Sequence, residues 1–446
     1  MDRRDFLRLA AGAATVAAGS ACGGKSSSAR RAKAAATKPN LRILQWNHYI
    51  PAYDQWFDGF AARWGEEHDT DVLIDHLNVD DIRLRASAEV SAQRGHDLVS
   101  FIVTQMGSLE DEVIDHQDIV AELEAKVGPM VPVIARGVHN PKTGKYVGVR
   151  DGWAPQFVNY RADLWLGNEA GPPDNWESIL RAAPRLKSAG APVGVGLSGN
   201  TVDSQSTAIS LLFAFGGSVQ DEAGVLTLDS PATVEAVKFA SSLYRSGMTA
   251  DVLNWDNLAD NRFLASGKGS LIVDPVSAIR AAEKQDADLA SKIAFAPPPA
   301  GPAGRPGHPP VVNTYAIWKF AENPSGAARF LVDLVLGYRD AFLQSEFYNL
   351  PAFPGAVPDL RDLLAADTAA HPTGKYGLLA EASTWTANPG RPGYDNAAVS
   401  DVINEFIIGQ MFSSAARGDL SAEDAVKRAH AQAKPIFDKW RERGKV

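Results

Sequence analysis

The sequence predicts an α/β protein built on a parallel sheet, with one crossing between lobes, and three observations carry that expectation. LRILQW (41–46), a helix-periodic stretch and DVLIDHL (71–77) read as a β-α-β unit. Short apolar runs then alternate with amphipathic segments along the chain. Finally, Asp151-Gly152-Trp153-Ala154-Pro155 breaks a pair of strands where a crossing between lobes would fall.

In the opening unit, Tyr53, Trp56, Phe57, Phe60, Ala61 and Trp64 recur at the spacing of one helical face. Such a unit implies a right-handed crossover and a parallel sheet. Open α/β sheets take their ligands at the carboxyl ends of the strands. Trp46, Asn47, His48 and Tyr49 stand at that end of the first strand, an aromatic and hydrogen-bonding cluster that a plain core strand would not need.

The fold begins only near residue 41. Asp2-Arg3-Arg4-Asp5-Phe6-Leu7-Arg8 resembles a twin-arginine export signal, the apolar run from Leu9 to Ala21 is short for a membrane span, and small residues lead into Cys22. Residues 1–21 therefore read as a lipoprotein signal, although Gly19 stands where a lipobox usually has an aliphatic residue. A single cysteine excludes an internal disulfide and a cysteine-based metal site, which leaves lipid attachment as its use. Residues 22–40 read as a disordered basic tether. Together these two segments carry +6, so the folded part holds −15 of the net −9, an acidic balance that argues against a nucleic-acid partner.

Asp80 and Asp81 lead a helix through Arg94, and HDLVSFIV (96–103) is a third buried strand that brings Gln105 to the crevice. A helical region follows through Leu123. Residues 144–165 hold a turn, a short strand, a Gly-Trp break and a second strand. Trp176 opens a helix closed by Gly190, and VGVGLSGN leads into a helix from Ser204 to Phe215. Asp229-Ser230-Pro231 caps a periodic helix ending at Gly247. Residues 296–310 are too rich in Pro and Gly for either element, VVNTYAIWKF returns as a strand, and Asn323-Pro324 starts a helix through Leu336. After two loop-rich passages come a long helix from Ala397 to about Ala416 and a last helix capped by Ser421.

No motif nominates a catalytic residue. Gly194-Val195-Gly196-Leu197-Ser198-Gly199 matches G-x-G-x-x-G but lies well inside the chain, with no acidic residue closing a following strand, and reads as a strand-to-loop turn. The nine histidines make no short metal pair, so neither a zinc site nor a cofactor is implied. No nucleophile elbow appears, and carboxylates are too numerous for the sequence to choose a glycosidase pair. The positive signal is aromatic. Trp46, Trp153, Trp255 and Trp385 sit beside turns or strand ends, where a ring can stack on a sugar's C–H face while neighbouring polar groups bond its hydroxyls. Trp56, Trp64, Trp165 and Trp440 read as packing.

The order of five passages resembles the carbohydrate-binding, maltose-binding-protein-like group of the extracellular solute-binding proteins of ABC importers. These are LDSPATVEAVKFASSLYRSGM followed by FLASGKGSLIVDP, the Pro-Gly loop, VVNTYAIWKFAENPSGAARFL and GDLSAEDAVKRAHAQAK. The resemblance implies a two-lobed periplasmic-binding-protein-like fold of type II, its discontinuous lobes joined by a hinge, with residues 41–150 and about 314–370 in one lobe and 151–313 and about 371–446 in the other. It places Trp46, Asn47 and His48 at the first strand end, and Asp151 and Trp153 at the crossing. It puts Asp274 where relatives have a Gly-Pro-Trp turn, and Asn313, Thr314 and Tyr315 in place of a glycine pair. Arg391 and Tyr394 fall near the ligand, with Asp203 a further candidate.

The protein implied is a monomeric, exported receptor on the outer face of the cytoplasmic membrane or in the periplasm, anchored through Cys22. It passes a sugar or polyol to membrane permease subunits and catalyses nothing. The alternatives are another small solute (a glycerophosphodiester, polyamine or zwitterion) and an exported glycan-active hydrolase.

Overall fold

The structure, a computed structural model, describes residues 38–102, 106–166 and 171–446. The export signal, Cys22, the tether up to residue 37 and Gln105 lie outside the described residues.

Ten strands form two sheets. They are β1 (Asn40–Trp46), β2 (Asp71–Leu77), β3 (Leu98–Ile102), β4 (Val149–Ala154), β5 (Phe157–Arg161), β6 (Val193–Gly194), β7 (Leu271–Asp274), β8 (Ile293–Ala296), β9 (Val311–Ile317) and β10 (Leu350–Pro351). The first sheet runs β10-β4-β9-β3-β1-β2 and the second β6-β7-β5-β8. As the β-α-β reading requires, β1 pairs in parallel with β2 and with β3, and the helix Pro51–Glu67 makes the crossover. Central β1 is almost continuously buried, whereas edge strand β2 alternates between exposed and half-buried positions.

The chain passes from the first sheet to the second at Pro155-Gln156, between β4 and β5, and returns through the Pro-Gly segment before β9. That crossing is later than the expected boundary at 150/151, because β4 stays paired with β9 as far as Ala154. Nor do Gly152 and Trp153 break the strand. The register shifts between Arg150 and Gly152 instead. Gly152 is required there by close approach, since a Cβ at this position would collide with the Tyr338 hydroxyl.

Capping follows the sequence closely. Asn175, Ser230, Asn323 and Ser421 each accept a backbone N–H from the first turn of their helices. The expected long helix from Ala397 is in fact two, Ala397–Asn404 and Ile407–Arg417. They are separated at Phe406, whose φ of 54° is left-handed, and an apolar period common to both helices conceals that turn. Among the described residues no helix is long and apolar enough to cross a membrane.

Candidate functional site

The carboxyl end of β1 delivers an aromatic cluster from the first sheet. The Trp46 ring centroid lies 4.7 Å from His48 and 5.4 Å from Tyr49, and Tyr348 approaches His48 at 5.0 Å and Tyr49 at 6.1 Å. Trp46 is fixed by its indole N–H, which donates to Asn313 Oδ1 on β9 (3.2 Å). Burial holds the His48 imidazole neutral, with its pKa lowered to about 3. Its Nδ1 accepts the Ile50 N–H (2.9 Å), and the Asn349 side chain lies 3.1 Å from Nε2. Tyr348 follows Glu346 and Phe347, both at positive φ. That turn is held from the second sheet's side by Arg280, whose Nε donates to the Glu346 carbonyl while its guanidinium lies 5.0 Å from the Phe347 ring centroid.

The second sheet answers with carboxylates. Asp203 lies in the first turn of helix Val202–Ala214, Asp260 in helix Ala259–Ala265, and Asp274 ends β7. One oxygen from each lies within 4.8 Å of the other two. Neighbours hold the group in place. Ser277 Oγ donates to Asp274 (2.9 Å), and the Asn261 amide, with its nitrogen turned toward the acids, donates to Asp274 (2.9 Å) and Asp260 (3.0 Å). Burial, and for Asp203 and Asp274 the mutual repulsion of the group, raises all three above the usual carboxylate range, Asp260 to about 7. The charges of the three reach the Tyr49 and Tyr348 hydroxyls, so aromatic and acidic groups share one place. At its rim Asn257 Nδ2 bonds Asp80 Oδ1 (3.5 Å), joining elements packed on the two sheets.

Of the residues nominated by sequence, Trp46, His48, Asp203, Asp274 and Asn313 come together here, and Asn47 stands at the exposed edge, bonded to Asn78. Asp151, Thr314 and Tyr315 are buried within the first sheet's packing: Thr314 Oγ1 accepts from Arg150, and the Tyr315 hydroxyl donates to Gln45. Asp151 is raised to about 7 by burial, and one of its oxygens has no partner.

Other nominated residues lie elsewhere. Trp153 bonds the Pro351 carbonyl (3.3 Å) and lines a separate groove of about 300 Å³ with Val131, Pro354 and Leu379. Trp255 packs on Phe263 and bonds Asp251. Trp385 is buried beside the returning Pro-Gly segment, its carbonyl accepting the His308 N–H. Arg391 is exposed, near Phe213, and Tyr394 bonds the Lys445 carbonyl and lines a groove with Arg136, His139 and Tyr146.

The sequence model of the family described as bacterial extracellular solute-binding protein matches residues 50–346, well over half of the chain. The chain belongs to that family. An ABC transporter-binding protein of Deinococcus radiodurans is 27% identical over 282 residues, covering 61% of this chain and 65% of that protein. Two solved structures carry the same two-lobed fold. A sugar transporter of Arthrobacter chlorophenolicus A6 with bound laminaribiose matches at 18% identity and TM-score 0.77, over 89% of this chain and 99% of that one. An ABC transporter solute-binding protein of Agrobacterium radiobacter K84 in complex with ribitol matches at 17% identity and TM-score 0.74, over 90% and 99%.

For a solute-binding protein the meeting of the two sheets is the natural cleft. Sequence reasoning passed over four of its residues. Tyr49 was named in the cluster at the end of the first strand but not carried into the set of ligand contacts. Tyr348 depends on a strained turn that no pattern announces. Asp260 and Asn261 lie in the short helix Ala259–Ala265, where an acid-amide pair on its buried side was the available signal.

Proposed function

We propose that this protein captures a small hydroxylated solute, a sugar or polyol, between its two lobes and hands it to the permease of an ABC transporter, with no chemical step. The observation that carries this reading is the approach of Tyr49 and Tyr348, with Trp46 packed against Tyr49, to Asp203, Asp260 and Asp274. Flat rings cover C–H surface, and carboxylates accept hydroxyl protons. Family membership and the sugar- and polyol-bound neighbours support it. The hinge would lie at Pro155-Gln156 and the returning segment before β9, so that ligand affinity includes the free energy of lobe closure. Export on a twin-arginine signal and anchoring through Cys22 complete the proposal, and both rest on the sequence.

A thermal-shift screen of sugars, polyols, amines and phosphodiesters tests it. A ligand at a hundredfold excess over its Kd stabilises the native state by about 2.7 kcal/mol, so at least one hydroxylated compound should raise Tm clearly. If no carbohydrate or polyol does so, the reading fails.

A further inference from the structure

We propose that the solute taken by this cleft carries a protonated amine beside its hydroxyls, as an amino sugar or amino-polyol does, with the ammonium seated on Asp203, Asp260 and Asp274. The proposal deepens the sugar or polyol reading and rests on it.

Charge is the first argument. The three carboxyl groups come from three separate elements yet converge within 4.8 Å, and among the described residues none forms an ion pair with Lys or Arg. Arg262, the guanidinium that acts on Asp260, is already bonded to both oxygens of Asp256 at 2.8 Å. The remaining charges on the group are Asp80 and Asp256, both acidic, and the facing titratable side chains are Tyr49, Tyr348 and a neutral His48. Among the described residues no basic side chain pairs with these acids, and the protons that burial leaves on them are what a cation would displace.

The second argument is independent of charge. The Tyr49 hydroxyl, on which all three acids act, and Asp203 Oδ2 are enclosed without partners. Buried polar atoms are normally satisfied, so open groups on both sides of one place point to a bound molecule that supplies the missing bonds. An ammonium offers three donors and no acceptor, the complement of these carboxyls once they give up the protons that burial leaves on them, whereas each hydroxyl brings an acceptor as well.

The opposite wall decides between kinds of cation. Hard metal ions require six or more oxygen ligands, and Tyr49, Tyr348 and Trp46 present mostly ring carbon. Ring faces attract organic cations and cover the carbon skeleton of a sugar, so one ligand with both features fits both walls. The same charges would repel a phosphodiester.

The experiment is isothermal titration of the full chain with matched probes: D-glucosamine against D-glucose, and 1-amino-1-deoxy-D-glucitol against D-glucitol, with putrescine and Ca²⁺ as further titrants. Each titration is run in two buffers of different ionisation enthalpy. A cation favours the ionised carboxylates, so binding should release protons, and affinity for 1-amino-1-deoxy-D-glucitol, whose ammonium persists through the window, should rise with pH between 6 and 8. The slope approaches about tenfold per pH unit for each proton released.

An amine that binds at least tenfold more tightly than its neutral partner, with proton release, and that loses this preference in Asp274→Asn, bears the proposal out. Equal affinity within both pairs, no binding by either hydroxylated amine, or binding by Ca²⁺ alone overturns it. Neutral sugar binding without amine preference sinks only this inference. Binding by putrescine but by no hydroxylated probe would instead refute the sugar or polyol reading. Proton release by the unaltered protein keeps the test decisive should Asp274→Asn fold poorly.

Discussion

The two walls of the cleft are built by opposite means. The first sheet contributes rings, two of which have their polar atoms tied into the fold: the Trp46 indole is bonded to Asn313, and His48 is held neutral by burial between Ile50 and Asn349, while the Tyr49 hydroxyl is left open. The second contributes three acids whose supports fix them in place without neutralising them. One wall is therefore at rest, whereas the other stores electrostatic cost that a ligand can relieve. On the proposed reading, shape and apolar contact would be set by the first lobe and charge selection by the second.

The largest expected effect is on stability as a function of pH. The folded protein holds protons on Asp260, Asp151 and Asp395 up to about pH 7, and on Asp203 and Asp274 well above the usual range, all chiefly because of burial. The unfolded chain releases those protons near pH 4. The native state thus binds more protons than the unfolded state, and stability falls as pH rises. His48, His116 and His308, lowered by burial to about 3, 4 and 4, act in the opposite sense, but only below the unfolded histidine value near 6.5. Ligand-free protein should therefore lose stability from pH 6.5 to 8 in denaturant unfolding, and Asp274→Asn should flatten the decline. A wild-type profile that is level or rising over that window would break the contrast between the walls.

A second test asks whether an aromatic residue near the crossing is enough to make a ligand contact. Trp153 is 3% exposed and packs in its own groove with its indole bonded to Pro351. Trp153→Ala should cost about 3 to 5 kcal/mol of stability, as large-to-small changes of buried tryptophan do. It should leave Kd within about twofold, the scatter expected of independent sites. A large loss of affinity with unchanged stability would extend the aromatic wall beyond the Trp46 cluster.

The two walls also differ in how legible they were. β1, the helix after it and β2 announced themselves through periodicity, so the strand end bearing Trp46 and His48 was readable from local pattern alone. The acidic wall is assembled from positions spread over some seventy residues. Asp203 and Asp274 could be nominated through family resemblance, but nothing local distinguishes Asp260 from the many other acids of the chain. Tyr348 was hidden for a different reason. Its direction is imposed by two residues at positive φ and by Arg280 from the other side of the cleft, a long-range contact with no local sequence signature. Arg391 and Trp385 misled because loop-rich passages give composition without direction, and the fold turns these two side chains into other surroundings.

The smallest effect sharpens the aromatic side. If Trp46 acts through the face of its ring, Trp46→Phe should keep most of the affinity even though it removes the indole bond to Asn313. Trp46→Ala should weaken binding about tenfold, or about 1.4 kcal/mol, the upper end of what one aromatic contact supplies beyond its buried area. The comparison needs Kd measured alongside unfolding, because a residue this buried will also lower stability when truncated. Should Phe prove as damaging as Ala, the indole bond that orients β9 against β1 would be the contribution of Trp46, and the stacking role would pass to Tyr49 and Tyr348. Should Ala bind as well as wild type, the first wall would reduce to those two tyrosines, and the division between a packing wall and a charge-selecting wall would have to be redrawn.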